Sequence, residues 1–286
     1  MRAPACQAPP SIGRTVIRRR AGAVLVSMLT VTLAAGGPGV AAEAGGCALS
    51  VVATAPVQRV LDGRTFVLAD GREVRLAGIE TPPVGAAADG DPGLAARAAL
   101  QRVIGENEIV LKQLSPAPDR YGQLVAHAFV RHPAGETSLA RDLLAQGHAL
   151  LATRAGEAGC GRELAAAERA ARLAKLGLWG DPRYELRRAE NPAEVLAVRG
   201  RYTLVEGKVQ SVRESGGTIY VNFGRRWTED FTVTILKRNE RLFAAAGLAP
   251  LRLQGRRIQV RGVVEERGGP WIEASRPEQI EVVDGN

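Results

Sequence analysis

An α+β protein, mainly β, arranged as two five-stranded barrels in tandem is what this 286-residue sequence predicts. Three observations carry that expectation. The hydrophobic pattern switches between period two and period 3.6 in the order strand, strand, strand, helix, strand, strand, which is the order of an OB barrel. The same order recurs after the charged, Pro-containing stretch "DPRYELRRAENPAEV". The composition, 45% hydrophobic and 24% charged, is that of a globular chain with enough apolar residues for two cores.

The N-terminus stands apart from this plan. Arg14, Arg18, Arg19 and Arg20 precede the apolar run "AGAVLVSMLTVTLAA", and the small residues "GGPGVAAEAGG" follow. That layout predicts a secretory signal over residues 1–42, cleaved after Ala42 or Ala44, and hence an exported protein, periplasmic or extracellular. The apolar run is shorter than the ~20 residues a bilayer needs, so no membrane span is expected after cleavage. A retained anchor, or a lipid on Cys47 in "AGGC", are the competing readings. Residues 1–42 hold five arginines and no acid, so their removal takes the formal charge from +8 to +3. The remaining chain is only mildly basic, and nucleic-acid binding through bulk charge is excluded as an argument.

Of three cysteines, Cys6 lies in the expected signal, leaving Cys47 and Cys160. In an oxidising compartment one disulfide accounts for both, closing a loop of over a hundred residues. Two unpaired thiols are the alternative. Three histidines without shared spacing, His127, His132 and His148, offer no zinc site.

Residues 47–182 form the first expected domain. "PVQRVLD", "TFVLAD" and "EVRLAGI" alternate apolar and polar residues around the turns "DGR" and "DGRE", predicting a meander of three strands. "DPGLAARAALQRVIG" has Pro at its start and Gly at its end, as a helix should. Strands "NEIVLKQL" and "LVAHAFV" flank "SPAPDRYGQ", and two helices are expected near Ser138–Gly147 and Gly161–Leu176. Residues 183–198 read as a linker. The second domain, 199–284, repeats the plan: "YTLVEGKVQSVRE", "TIYVNFG" and "DFTVTIL" as strands, "KRNERLFAAAGL" as a short helix, then "RRIQVRGVVEE" and "WIEASRPEQIEVV".

The first domain carries a resemblance. "VLDGRTFVLADGREVRLAGIETPP", followed by "DRYG", "LARDLLAQGHALL" and "GLW" in family order, resembles the staphylococcal nuclease (thermonuclease) family over residues 50–182. The resemblance implies an OB barrel of the staphylococcal nuclease type and a calcium-dependent phosphodiesterase. Such a site needs a divalent cation on the phosphoryl oxygens, a base to aim water, and fixed cations for the growing charge. In the family motif, "DGDT…RL.GIDTPE…DRYGR", acidic residues hold calcium, the Glu after the Pro is the base, and two arginines clamp the phosphate.

Asp62, Arg75, Glu80 and Thr81 match or nearly match that motif. Arg64 stands where a metal carboxylate belongs, Pro83 where the base belongs, and Gln123 where the second clamping Arg belongs. A cation about 4 Å from a divalent ion costs roughly 8 kcal/mol at an effective dielectric near 20. Proline accepts no proton, and Gln123 carries no charge. The calcium site therefore reads as lost, no cofactor is expected, and Arg75 and Glu80 read as vestiges of the catalytic set. Two readings of Arg64 stand: its guanidinium replaces the metal by pairing with Glu80, or it points to solvent from a simple hairpin. An active site would need other nearby groups, such as Asp89 or Asp91, to substitute through an arrangement that the sequence does not reveal. Tyr121 resembles a family residue near the substrate, although a turn with Asp119 and Gly122 also explains it.

In the second domain, Tyr220, Phe223, Trp227 and Phe231 interleave with Arg225 and Arg226, the composition of a base-stacking face. Alternation would equally bury some of these rings as core. Fifteen Lys and Arg against thirteen acids from Glu190 to Asn286 leave no strong electrostatic footprint. Two function classes follow. One is an exported pseudoenzyme that binds nucleic acid, another phosphorylated ligand or a protein through Arg64, Arg75, Tyr121 and the Tyr220–Trp227 stretch. The other is an exported DNA/RNA phosphodiesterase with a rearranged site.

Overall fold

Strand alternation, helix caps and two Asp-Gly turns shape the first barrel, and the computed structural model describes residues 49–85, 90–113, 123–133, 135–152, 158–226 and 228–283. Strands β1 (Ser50–Val60), β2 (Thr65–Leu68) and β3 (Glu73–Leu76) form the expected antiparallel meander. After the short β4 (Gly78–Glu80) comes α1 (Pro92–Ile104), then β5 (Glu108–Gln113) and β6 (Leu124–His132). Strand β5 pairs with β1 and β6, and β6 runs parallel to β3 with Val74 opposite Leu124. The five strands thus close into a ring, which leaves no unpaired edge between them. Phe66, Leu68, Leu76, Leu100, Ile109 and Leu111 are fully buried inside it.

The helices sit where their caps allow. The Asp91 carboxylate accepts the Gly93 N–H at 2.8 Å, Pro92 occupies the first turn, and Gly105 ends α1 at φ 55°. Strand β7 (Gly135–Ser138) leads into α2 (Leu139–Ala145), capped by the Ser138 hydroxyl, and β8 (Leu150–Ala152) pairs with β4. Helix α2 is shorter than the pattern suggests. The chain turns at Gly147, where a Cβ would lie 2.1 Å from the Leu176 carbonyl oxygen. Helix α3 (Ala158–Leu173) starts and stops three residues earlier than expected, and Lys175 and Gly177 adopt positive φ beyond its end.

In the second half, β9 (Arg187–Arg188) and α4 (Pro192–Leu196) precede β10 (Tyr202–Lys208), β11 (Ser211–Ser215), β12 (Thr218–Asn222) and β13 (Thr232–Leu236). Helix α5 (Glu240–Ala245) separates these from β14 (Arg257–Val263), β15 (Glu265–Arg267), β16 (Gly269–Glu273) and β17 (Ile280–Val282). β10 and β11 are two parts of one bent run that pair with β14 and β12 respectively, while β13 runs parallel to β16 and β15 pairs with β16. The order is that of the first barrel, a meander, a helix, a fourth strand on the first and a fifth parallel to the third, but β14 and β16 do not pair, so the strands form two sheets, β17-β14-β10-β9 and β11-β12-β13-β16-β15, and not a closed ring. The segment read as a linker is folded onto this barrel. β9 adds to β10 in parallel, and Ala189, Val195 and Val198 enter the second core. Among the described residues no helix is long and apolar enough to cross a membrane.

The barrels share a seam. Leu150, Ala171, Leu178 and Trp179 of the first half pack with Leu204, and Tyr184, Leu186 and Tyr202 flank them. Inside the seam, Glu168 of α3 meets Arg261 of β14 at 2.7 Å, with Glu168 2% and Arg261 4% exposed. The other Glu168 oxygen accepts the Leu151 N–H at 2.7 Å, and the Tyr202 hydroxyl donates to the Leu151 carbonyl at 2.9 Å. Both barrels belong to one compact unit.

Candidate functional site in the cleft between the barrels

The turn "LDGRT" is built by backbone hydrogen bonds. The Asp62 carboxylate accepts the Arg64 and Thr65 N–H groups at 2.8 and 2.7 Å, and the Leu61 N–H reaches the Thr65 carbonyl at 2.8 Å. Gly63 lets the turn press on its neighbours, since a Cβ there would lie 2.6 Å from Ala96 Cβ and 3.1 Å from Thr81. The turn is thereby pinned beside β4, whose last residue is Glu80.

The Arg64 guanidinium hydrogen-bonds and ion-pairs with the Glu80 carboxylate. Arg75, opposite Thr65 in the β2–β3 ladder, brings its guanidinium to 3.7 Å from the same oxygen. All three side chains are partly exposed, at 19, 28 and 29%. Burial lowers the Arg64 pKa from its ordinary value, Glu80 opposes that, and the neighbouring Arg75 adds to it. Arginine remains protonated at neutral pH regardless. The cluster is two cations on one carboxylate.

That arrangement does not fit calcium. A hard divalent cation needs six to eight oxygens, several of them carboxylate. Here Asp62 is turned into its own loop and Glu80 is covered by two guanidinium groups. Among the described residues no group of three or more His, Cys, Asp or Glu is placed to hold a metal.

The remaining positions of the motif are accounted for individually. Pro83 is exposed, and its carbonyl oxygen approaches α1 so closely that a Cβ at Gly93 would lie 2.4 Å from it. Asp91 spans this junction: one oxygen caps α1 and the other accepts the Gly85 N–H at 2.5 Å. Its pKa is lowered chiefly by that Gly85 hydrogen bond, so it is a helix cap and not a free base. Gln123 donates its amide to Glu73. Tyr121, Asp119 and Asp89 lie outside the described residues. Cys160 is buried near the start of α3 and is not a free thiol. Cys47 lies outside the described residues.

The second barrel contributes residues that no local pattern marks. A cavity of about 210 Å³ is lined by Arg64, Arg75 and Glu80 from the first barrel and by Tyr202, Arg276 and Gln279 from the second. A neighbouring groove of about 380 Å³ shares Glu80 and Tyr202 and runs past Pro82, Pro83, Leu150 and Tyr184. Burial raises the Tyr202 pKa far above its ordinary value, so its hydroxyl is a neutral donor.

The expected aromatic face of the second barrel separates into parts. Tyr220 lies between the buried Ile219 and Val221 and faces outward, edge-on to Trp271 at 6.1 Å. Arg267 stacks over Trp271 at 4.7 Å. Phe223 is a core residue and not a binding residue: it is 4% exposed and packs on Phe231 with centroids 5.0 Å apart. Arg225 and Arg226 sit on an exposed loop, where Arg226 pairs with Glu229 at 3.0 Å. Trp227 lies outside the described residues. Trp271, the actual neighbour of Tyr220, was hidden in sequence because 51 residues separate two strands that meet only through β13.

Residues 73–181 match the family model described as staphylococcal nuclease homologue. This part of the chain is a staphylococcal-nuclease-like domain, which relates it to a nuclease family. The match takes in Arg75, Glu80, Pro83 and Gln123 and begins after the Arg64 turn. No curated protein is similar enough to this chain to count as a match.

Proposed function

We propose that this is an exported phosphate-binding protein built on a nuclease-type barrel, one that holds a nucleic acid or another phosphorylated ligand in its inter-barrel cleft and does not hydrolyse it with calcium. One observation carries the reading: the Arg64 guanidinium lies on the Glu80 carboxylate, with Arg75 beside it. Glu80 then has its charge balanced without a metal, and the arginines retain free N–H groups of the kind that grip phosphate oxygens. The loss of base supports the same reading, since Pro83 has no proton-accepting group and Asp91 is committed as a cap. The competing reading, a phosphodiesterase with a rearranged site, has no comparable observation behind it. Export rests on the N-terminal layout of the sequence.

The test is a calcium titration of the purified mature protein with DNA and RNA substrates, with thermal unfolding measured on the same samples. No cleavage above background and no calcium-dependent rise in Tm are expected for the wild type. Arg64→Asp should gain a calcium-dependent Tm rise, because it returns a carboxylate beside Glu80, while cleavage stays weak. Calcium-dependent cleavage by a contaminant-free sample, abolished in Glu80→Gln, would overturn the proposal.

A further inference from the structure

We infer that the groove beside the arginine cluster takes a planar ring carried by the phosphorylated ligand, stacked on Tyr184, which makes the cleft a nucleotide site and not one for a bare or sugar-borne phosphate. This rests on the proposed reading of the cleft as a phosphate site and adds the organic group it takes.

Continuity comes first. The cavity that holds Arg64, Arg75 and Glu80 and the groove of about 380 Å³ have Glu80 and Tyr202 in common. A ligand whose phosphate meets the arginines therefore has its next atoms at the groove. The two spaces differ in chemistry. Charged and amide side chains dominate the first, whereas Pro82, Pro83, Leu150, Tyr184 and Val263 wall the second, with Val263 47% exposed. A bare phosphate or a sugar would leave these apolar walls wet, and a flat ring would cover them. The groove is at the small end of the ~300–1,000 Å³ range of ligand pockets, room for one ring system and not for a long chain.

The walls are fixed before any ligand arrives. Leu150 stands opposite Glu80 in the β4–β8 ladder, and Val263 stands opposite Tyr202 in the β10–β14 ladder. Tyr184 ends the short 3₁₀ turn Pro182–Tyr184, which begins where the Asp181 carboxylate accepts the Arg183 N–H at 2.9 Å. The Arg187 guanidinium donates to the Pro182 carbonyl at 2.9 Å and ties that turn to β9. Walls held in this way cost a ligand little ordering. Two aromatic side chains line the groove. The Tyr202 hydroxyl is committed to the Leu151 carbonyl, whereas Tyr184 is half-buried, packed beside the seam and lining the groove. Burial raises the Tyr184 pKa against the opposing charge of Arg183, so the ring is a neutral stacking surface. The Arg183 guanidinium is itself held by Asp181 at 2.9 Å, a balanced pair and not a second phosphate site. Arg201 also lines the groove from an exposed position, and its donors suit the carbonyl and ring-nitrogen acceptors of a nucleobase.

The experiment is isothermal titration of the full mature protein at fixed pH and ionic strength. Three probes are used: inorganic phosphate, ribose 5-phosphate and a nucleoside 5′-monophosphate. The wild type should bind the nucleotide about tenfold more tightly than ribose 5-phosphate, the scale of one base stacked on an aromatic ring. Tyr184→Ala should remove that preference, weakening the nucleotide about tenfold and ribose 5-phosphate by less than about threefold, and Tyr184→Phe should keep it. Val263→Trp, at an exposed position, decides the matter should Tyr184→Ala fail to fold. It should fill the groove and weaken the nucleotide about tenfold, with inorganic phosphate held within about threefold. Equal affinity for the nucleotide and ribose 5-phosphate, an equal effect of Tyr184→Ala on both, or nucleotide binding unchanged in Val263→Trp overturns the ring site and leaves the phosphate site standing. Failure of all three probes to bind overturns the phosphate-site reading itself, and the inference with it.

Discussion

Neutralising Glu168 should destabilise the whole protein far more than neutralising any exposed carboxylate. Glu168 and Arg261 are almost fully buried, 2.7 Å apart, and Arg261 also approaches the Leu151 carbonyl at 3.4 Å. Glu168→Gln removes the charge and keeps an oxygen for the Leu151 N–H, so it isolates the ionic part. Leaving one member of a buried pair without its counter-charge costs about 3–5 kcal/mol. For a unit of this size each kcal/mol moves Tm by about 2–4 °C, so a fall of about 6–20 °C is expected by differential scanning calorimetry. Glu168→Ala should fall further by about 1–3 kcal/mol, because the buried Leu151 N–H then loses its acceptor. Removing both charges, as Glu168→Gln with Arg261→Met, should recover most of the loss, since no isolated charge is left inside. A Glu168→Gln protein melting within about 2 °C of the wild type, or a double variant no better than the single, would show that water reaches the seam and that the pair does not hold the barrels together.

His148 offers a pH test. Burial lowers its pKa and Arg102 adds to the shift, so the folded state resists protonation more than the unfolded chain does. Stability from this group is present above the unfolded pKa of about 6.5 and is lost as pH falls below it. His148→Gln should therefore flatten the decline in urea midpoint between pH 7 and pH 5; an unchanged slope would rule this group out as its source. For the proposed Cys47–Cys160 bridge, peptide mass mapping without reductant should recover one cross-linked pair, and reduction should lower stability by up to about 4–5 kcal/mol for a loop of this length. Two alkylatable thiols in exported protein would refute the pairing.

Much of the architecture was readable without coordinates, because it rests on local physics. Alternation placed the strands, Asp91-Pro92 and Gly105 delimited α1, and the order of elements recurs in the second half, where the strands form two sheets and not a closed ring. The departures have equally local causes that only packing reveals. Helix α2 stops early because Gly147 must lie against Leu176, and the segment 183–198 is folded because Ala189, Val195 and Val198 complete the second core. Alternation leaves open which aromatic residues point outward; the tertiary packing decides it, burying Phe223 in the core and setting Tyr220 against Trp271. Motif comparison identified Arg64 as out of place in a metal site. Whether its guanidinium meets Glu80 or faces water depended on how the first turn sits against β4, which is a long-range matter of Gly63, Ala96 and Thr81. Arg276 left no sequence signal at all. It reaches the cleft because the buried Glu168–Arg261 pair and Tyr202 fix one barrel against the other, and that docking is set by contacts across 93 and 51 residues of chain that no periodicity encodes.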